Sequence, residues 1–137
     1  MKQLKLLLVE DNVADVVFFR EALLAAGVAL EMQVVENGEE AMRFLRRQGQ
    51  FTGAPRPNVV VLDLNLPVMK GREVLREMAA DAALNTIPVA VLTTSTSEMH
   101  VCDAYPGGRC LYLVKTDEFK QLQELVRKIA AHAQPAA

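Results

Sequence analysis

The 137-residue chain has little of what marks a nucleic-acid-binding, membrane-spanning or secreted protein. Its formal net charge is -2, it has no basic stripe and it contains few aromatic residues, which argues against a nucleic-acid surface. No apolar run approaches the roughly 20 residues that cross a bilayer. The first apolar run, residues 4–9, leads directly into acidic residues, so it predicts a strand and not a signal peptide.

Cysteine is also scarce, and its two occurrences, Cys102 and Cys110, do not have the spacing of metal ligands. This pattern predicts a cytoplasmic protein with reduced thiols. The length suffices for one domain with a core of its own and is too short for two of ordinary size. We therefore expect one domain over residues 1–133, followed by a disordered tail over residues 134–137.

Strand-like and helix-like patterns alternate five times along the chain. Short apolar runs predict strands at residues 4–9, 32–35, 59–62, 88–92 and 111–114. Helical spacing follows each of them, at residues 13–26, 37–47, 71–80, 97–105 (weakly) and 117–133. Such alternation predicts right-handed crossovers and a parallel sheet covered on both faces. The expected fold class is α/β, a flavodoxin-like (βα)5 doubly wound sheet with strand order 2-1-3-4-5.

Residues able to do chemistry stand at the ends of four of these strands. Glu10 and Asp11 follow the first strand, Asp63 the third and Lys115 the fifth, and Thr93 ends the fourth. The expected strand order places the first and third strands side by side at the switch point. Carboxylates gathered there repel one another unless a cation shares the site. Oxygen ligands without histidine or cysteine suit Mg²⁺, with Mn²⁺ as the alternative.

The same residues have the properties required for phosphoryl transfer. A carboxylate can act as a nucleophile toward a phosphoryl group, and cations and hydroxyl donors stabilise the charge that develops. Taken singly, each residue has an ordinary explanation: Glu10-Asp11 and Thr93 as helix caps, Asp63 as a turn residue, Lys115 as a solvated charge. Their joint occurrence at the ends of strands 1, 3, 4 and 5 favours one shared site.

Five segments together resemble the receiver domains of two-component response regulators. They are residues 9–12 (VEDN), 61–67 (VLDLNLP), 69–71 (MKG), 88–93 (PVAVLT) and 112–115 (YLVK). The resemblance covers residues 4–131. It implies that Asp63 is the phosphoacceptor, and that Asp11, Asp63 and the backbone carbonyl of Asn65 bind Mg²⁺ while Glu10 acts through a metal-bound water.

The resemblance also implies roles for the residues on the last two strands. Thr93 would bond a phosphoryl oxygen, Lys115 would pair with the phosphoryl group, and Tyr112 would be the aromatic switch residue. The phosphodonor would be a phosphohistidine on a sensor histidine kinase. The domain would be a signalling protein and not an enzyme, although it would catalyse its own slow dephosphorylation.

A narrower similarity connects the chain with receivers that accompany phytochrome-type light-sensing kinases. By that similarity we expect a stand-alone receiver that signals as a homodimer through the face of helix 4, strand 5 and helix 5. The candidate interface residues are Cys102, Tyr105, Leu111, Leu113, Phe119 and Leu122. A histidine phosphotransfer protein is a further candidate partner, whereas nucleic acid and membrane are not expected as partners.

Departures from the family pattern cluster around the last strand. Thr116 follows Lys115 where the family usually has proline, so we expect a trans peptide or a strained cis one, which affects how Lys115 is placed. Thr94 stands where a smaller residue is frequent, and Arg109 replaces a small residue. Residues 106–108 (PGG) suggest a shortened or irregular fourth helix.

Other functions use similar residues. A phosphatase of the haloacid dehalogenase type needs a second acid two residues after the nucleophile, and here that position is Asn65. A flavodoxin-like cofactor binder needs a phosphate-binding loop after the first strand, where Glu10 and Asp11 would repel a phosphate. A phosphorylation-independent scaffold, a phosphate sink and a relay carrier remain as further alternatives.

Overall fold

A single parallel sheet organises the computed structural model, which describes residues 3–133. Its strands are β1 (Leu4–Val9), β2 (Leu30–Val35), β3 (Val59–Leu62), β4 (Val89–Thr93) and β5 (Cys110–Val114). They lie in the order β2-β1-β3-β4-β5, and every neighbouring pair is parallel. The flavodoxin-like α/β architecture and the strand order predicted from the sequence are therefore confirmed.

Helices connect the strands. The α-helices are α1 (Val13–Ala25), α2 (Gly38–Leu45), α3 (Gly71–Ala80) and α4 (Phe119–His132), and the 3-10 helices are Gly49–Phe51, Met99–Ala104 and Pro106–Gly108. Asn12 caps α1, because its side-chain oxygen accepts the N–H of Asp15 at 3.1 Å. Asn37 caps α2 in the same way, at 2.9 Å from the N–H of Glu40. Among the described residues, no helix is long and apolar enough to cross a membrane.

The core lies on both faces of the sheet, because alternate residues of each strand point to opposite sides. Leu7, Val60 and Val91 face α2, α3 and the segment of the second and third 3-10 helices. Leu8, Val61 and Leu92 face α1 and α4. All four residues of β3 are fully buried, as expected for the central strand of a parallel sheet. We call these two packed layers the apolar interior.

The fourth predicted α-helix, residues 97–105, is absent in that form. The 3-10 helix Met99–Ala104 takes its place and is followed by Pro106–Gly108, with Gly107 at φ 72°. Serine and threonine at residues 93–97 bond to nearby backbone and compete with a helical start. The face expected to contain helix 4, strand 5 and helix 5 therefore consists of Met99–Ala104, β5 and α4.

The prediction of reduced cysteines is wrong for this structure, because Cys102 and Cys110 form a disulfide. Their Cα atoms are 5.2 Å apart and eight residues separate them in sequence. The turn at residues 106–108 reverses the chain, so the 3-10 helix Met99–Ala104 returns against the first residue of β5. No other cysteine is present in the chain.

Half of the candidate interface residues belong to the interior of the chain itself. Leu113 and Leu122 pack against α1 and are buried. Tyr105 is buried as well, and its hydroxyl lies 2.7 Å from the carbonyl oxygen of Ile87 and 3.1 Å from that of Leu84. These three side chains are therefore not available for an intermolecular contact. The predicted tail, residues 134–137, lies outside the described residues.

Candidate functional site

The register of the sheet brings the strand-end residues to one edge. Val9 pairs with Leu62, so Glu10 and Asp63 emerge side by side after β1 and β3. The backbone ladder continues one step past the last strand, since the N–H of Lys115 bonds the carbonyl of Thr93 at 2.8 Å. We call this group of side chains the carboxyl edge: Glu10, Asp11, Asp63, Thr93 and Lys115. The sequence prediction that they meet at the carboxyl ends of the strands agrees with this placement.

Three carboxylates form a compact cluster at this edge. Ligand oxygens of Glu10, Asp11 and Asp63 all lie within 4.8 Å of one another. Glu10 and Asp63 are buried, at 4% and 7% exposure, whereas Asp11 is open to solvent. An all-oxygen donor set with one open side fits a hard divalent cation that keeps part of its water shell. The residues present therefore fit the metal that the sequence predicts.

Lys115 holds the cluster together through its ammonium group. Its Nζ atom lies 2.7 Å from Oε1 of Glu10 and 3.0 Å from Oδ2 of Asp63. A third carboxylate, Oδ2 of Asp15, lies 3.1 Å away. An ammonium has three protons, so these contacts account for all of its donors. The Lys115–Thr116 peptide is trans, and Thr116 does not prevent the lysine from reaching the site.

Asp15 is the residue of this site that the sequence reasoning missed. The sequence contains a signal for it, because an asparagine such as Asn12 directly before a helical pattern favours a helix cap. A cap at position 12 places Asp15 in the first turn of α1, directly above the carboxyl edge. The contact itself depends on the reach of Lys115 across a sequence separation of 100 residues, which no local pattern encodes.

The electrostatics of the two central groups follow from burial and pairing. Burial raises the pKa of the Glu10 carboxyl above its usual value, and the hydrogen bond from Lys115 offsets part of that rise. Burial alone would lower the pKa of Lys115. Its hydrogen bonds to Glu10 and Asp63 outweigh this effect and raise the pKa instead. Lys115 therefore stays charged throughout the neutral range.

Thr93 and Tyr112 both bond to the backbone of Ser95. The Thr93 side chain is fully buried, and its hydroxyl oxygen accepts the N–H of Ser95 at 3.4 Å. The half-buried Tyr112 donates its hydroxyl to the carbonyl oxygen of the same residue. One peptide segment thus connects the residue that ends β4 with the middle of β5.

The loop after β3 is built tightly against Asp63. Asn65 donates its backbone N–H to Oδ1 of Asp63 at 3.1 Å, which fixes the orientation of that carboxylate. A Cβ atom at Gly71 would lie only 2.1 Å from the carbonyl oxygen of Asp63, so only glycine fits there. Val68 has φ 67° at an exposed position, and the N–H of Met69 bonds the carbonyl of Pro67 across it at 2.7 Å.

Open space adjoins the lysine. A cavity of about 890 Å³ lies between the start of α1 and the end of β5, and Asp15, Phe18, Thr94 and Lys115 contribute to its lining. Thr94, the departure from the family pattern noted above, is exposed and contributes to this wall. Of the carboxyl edge, Lys115 lines this cavity, so its side of the group faces open space next to α1.

Comparisons with known proteins agree with one another. The family model described as "Response regulator receiver domain" matches residues 6–127. Response regulator Rcp1 of Synechocystis sp. is 42% identical over 124 residues, which cover 90% of this chain and 84% of the relative. The crystal structure of the phosphorylated cyanobacterial phytochrome response regulator RcpA aligns with a TM-score of 0.81 at 42% identity, covering 93% of this chain and 91% of that one.

A second solved structure concerns the metal. The Mn²⁺-bound form of response regulator Rcp1 aligns with a TM-score of 0.79 at 41% identity, covering 93% of this chain and 91% of that one. That structure is similar to this chain over nearly its full length, and it contains a divalent cation.

Proposed function

The chain belongs to the response regulator receiver domain family, and we propose that it signals by accepting a phosphoryl group on Asp63. The observation that carries this proposal is the contact of 3.0 Å between Nζ of Lys115 and Oδ2 of Asp63, within a cluster of carboxylates. A nucleophilic carboxylate beside a fixed cation is what phosphoryl transfer requires. The cavity that Asp15, Thr94 and Lys115 line leaves open space beside this cation.

We further propose that the cation is Mg²⁺, held by Asp11, Asp63 and the backbone carbonyl of Asn65, with Glu10 acting through a metal-bound water. When bound, the metal supplies positive charge that neutralises the phosphoryl oxygens. The chain supplies the orientation. Asn65 fixes the Asp63 carboxylate through its N–H at 3.1 Å, and Gly71 lets the following helix approach the Asp63 backbone. The Mn²⁺ form of the relative Rcp1 supports a divalent cation in general.

The transfer balances without a further reactant. A carboxylate oxygen of Asp63 forms a bond to phosphorus while the bond between phosphorus and the imidazole nitrogen of a phosphohistidine breaks. The imidazole of the histidine kinase, protonated on its other ring nitrogen, takes the electron pair of the broken bond and leaves as a neutral group, and the product is an acyl phosphate on Asp63. Lys115 pairs with one phosphoryl oxygen and Thr93 donates its hydroxyl to another. Water later attacks the phosphorus, which releases inorganic phosphate and regenerates Asp63.

The signal is proposed to leave through Thr93 and Tyr112. A Thr93 hydroxyl drawn toward the phosphoryl group gives up its bond to Ser95, to which Tyr112 is also bonded. Such a switch moves from mostly off to mostly on with about 5.5 kcal/mol of differential stabilisation. The surface that reads it is the face of Met99–Ala104, β5 and α4. We propose a homodimer there, with Cys102, Leu111 and Phe119 as the candidates that are not buried.

The upstream partner is proposed to be a sensor histidine kinase of the phytochrome type. The support is the similarity to RcpA, a cyanobacterial phytochrome response regulator that is 42% identical to this chain. The proposed role is that of a signalling protein whose phosphoryl chemistry serves as a switch. A cytoplasmic location remains a prediction from the sequence.

Intact-mass measurement after incubation with acetyl phosphate and Mg²⁺ tests the phosphoacceptor. We expect one added phosphoryl group, absent with a chelator and absent in Asp63→Asn. Asp103→Asn removes an exposed carboxylate from the 3-10 helix Met99–Ala104 and serves as the matched control, which should be phosphorylated normally. An adduct that persists in Asp63→Asn would refute Asp63 as the acceptor. If the folded wild type gains no phosphoryl group and also fails to bind beryllofluoride in the presence of Mg²⁺, the receiver chemistry is refuted.

Light scattering tests the dimer. We expect the molar mass to rise toward that of two chains when beryllofluoride and Mg²⁺ are added. Phe119→Asp should reduce this rise, because it places a charge on the proposed face, whereas Leu24→Asp places the same charge on an exposed apolar residue of α1 and should leave the rise unchanged. A monomer mass that is independent of concentration and of beryllofluoride would exclude the homodimer.

A further inference from the structure

Asp15 contacts the lysine of the site without belonging to the carboxylate cluster. Its Oδ2 atom lies 3.1 Å from Nζ of Lys115. In residues 3–133 the carboxylates close enough to share a cation are Glu10, Asp11 and Asp63, and Asp15 is not among them. Lys115 therefore has two kinds of partner, since Glu10 and Asp63 are also candidate metal ligands and Asp15 is not.

The position of Asp15 is fixed by the start of α1. Its N–H donates to the side chain of the capping residue Asn12 at 3.1 Å, so the residue sits in the first turn of the helix. The side chain is 45% exposed, whereas that of Lys115 is 18% exposed. Asp15 thus approaches the ammonium from the solvent side, opposite the buried Glu10 and Asp63.

The loop after Lys115 is held from the other direction. The Thr116 hydroxyl donates to the side chain of Gln121 at 2.7 Å and accepts the N–H of Glu118 at 3.1 Å. These bonds fix Thr116 toward α4 and leave the direction of the Lys115 side chain to its carboxylate partners. A divalent cation at the cluster and a phosphoryl group on Asp63 would both compete for the oxygens of Glu10 and Asp63. The contact with Asp15 is the one that these ligands leave in place.

We infer that Asp15 is a positioning residue that keeps the ammonium of Lys115 beside the phosphoryl group while the metal and the phosphoryl group engage Glu10 and Asp63. This inference rests on the proposed function of the site. It assigns to the first turn of α1 a part in the transfer that acts through Lys115.

A double-mutant cycle tests it, with the rate of phosphoryl uptake from acetyl phosphate and Mg²⁺ as the readout. Asp15→Asn should slow uptake about fivefold when Lys115 is present, as expected for a coupled neighbour. In the Lys115→Met background the same change should have no effect, because nothing remains to be positioned. Asp15→Glu should restore part of the rate. Glu21→Gln, an exposed charge change on the same helix, is the matched control and should leave the rate unchanged.

Two outcomes would overturn the inference. One is an unchanged rate in Asp15→Asn, and the other is an equal slowing with and without Lys115, which would indicate a structural role. The side-chain resonances of Lys115 in the metal-free protein test the contact separately from phosphorylation. They should shift in Asp15→Asn and not in Glu21→Gln. A wild type that takes up no phosphoryl group refutes the proposed function, whereas unshifted Lys115 resonances refute the Asp15 contact alone.

Discussion

Burial of side chains has opposite effects on free energy in the apolar interior and at the carboxyl edge. The interior fills both faces of the sheet with aliphatic groups that gain from leaving water. The carboxyl edge buries Glu10 and Asp63, whose desolvation costs free energy, and for Glu10 the hydrogen bond from Lys115 offsets only part of that cost. Folding stability therefore comes from the residues within the strands and the chemistry from the residues directly after them, which are only one position apart along β1 and β3.

Truncation in the interior should give the largest effect on folding. Ile129 is fully buried on α4, so Ile129→Ala should lower the free energy of unfolding by about 3–4 kcal/mol. Leu24→Ala, at a residue that is 77% exposed, should change it by about 0.5 kcal/mol or less. Urea denaturation provides both values. Phosphoryl uptake per folded molecule should be the same in both variants. A slower rate in Ile129→Ala would contradict the separation of stability from chemistry.

Removal of the Lys115 ammonium should show how much free energy the buried carboxylates cost when they are left unpaired. Lys115→Met leaves Glu10 and Asp63 uncompensated, and with the lysine 18% exposed we expect a loss of about 2–3 kcal/mol in metal-free buffer. Added Mg²⁺ should recover more stability in this variant than in the wild type, since the cation replaces the missing charge. Thermal unfolding with and without Mg²⁺ measures this. Lys128→Met, on the exposed side of α4, should show neither effect.

The buried hydroxyl of Tyr105 tests how much a polar group contributes to stability within the apolar interior. Tyr105→Phe leaves the carbonyls of Leu84 and Ile87 without this donor and should cost about 1–2 kcal/mol at neutral pH. Burial raises the pKa of Tyr105 from 10.0 to about 12. The folded state therefore binds the proton more tightly, so the advantage of tyrosine is complete below pH 10 and is lost as the pH rises toward 12.

Urea denaturation of both proteins from neutral pH to above pH 11 would follow this loss. The absorbance of tyrosinate, recorded as the difference between wild type and Tyr105→Phe, provides a second reading of the same ionisation. A difference in stability that stays constant across the alkaline range would contradict the prediction.

Relief of backbone strain near the edge should give the smallest effect. Val68 has φ 67°, a conformation that β-branched residues rarely adopt and asparagine tolerates. Val68→Asn should raise the free energy of unfolding by about 0.5–1 kcal/mol. Val68→Ala keeps a Cβ in the same conformation and is the control with a smaller gain. A destabilised Val68→Asn would mean that the valine side chain contributes contacts that its 78% exposure does not suggest.

The sequence predicts the sheet and most of the site because both are encoded by short local patterns. The apolar runs determine the strands, and the residues that follow them, such as Asp63 and Lys115, are brought together by the strand order. The fourth helix was predicted to be weak and shortened or irregular, and it forms as a 3-10 helix because its flanking serine and threonine residues favour local bonds. The Cys102–Cys110 disulfide and the Asp15 contact depend on how loops fold back, which periodicity does not report.

Two of the alternative functions considered from the sequence do not fit this geometry. Glu10 is buried beside Asp63 after β1, where their negative charges would repel the phosphate of a flavodoxin-like cofactor. Asn65 uses its backbone N–H on Asp63 and offers no second acid for a dehalogenase-type phosphatase. The phosphorylation-independent scaffold remains to be separated by the mass measurement with acetyl phosphate.

The link from Thr93 to Tyr112 passes through the main chain of Ser95, whose N–H and carbonyl take one bond each. Any amino acid except proline supplies those two groups. The Ser95 side chain bonds to Ser97 and takes no part in the link, so it can vary while the link persists. Substitution at residue 95 can therefore change the surface beside the carboxyl edge without rebuilding the connection between β4 and β5.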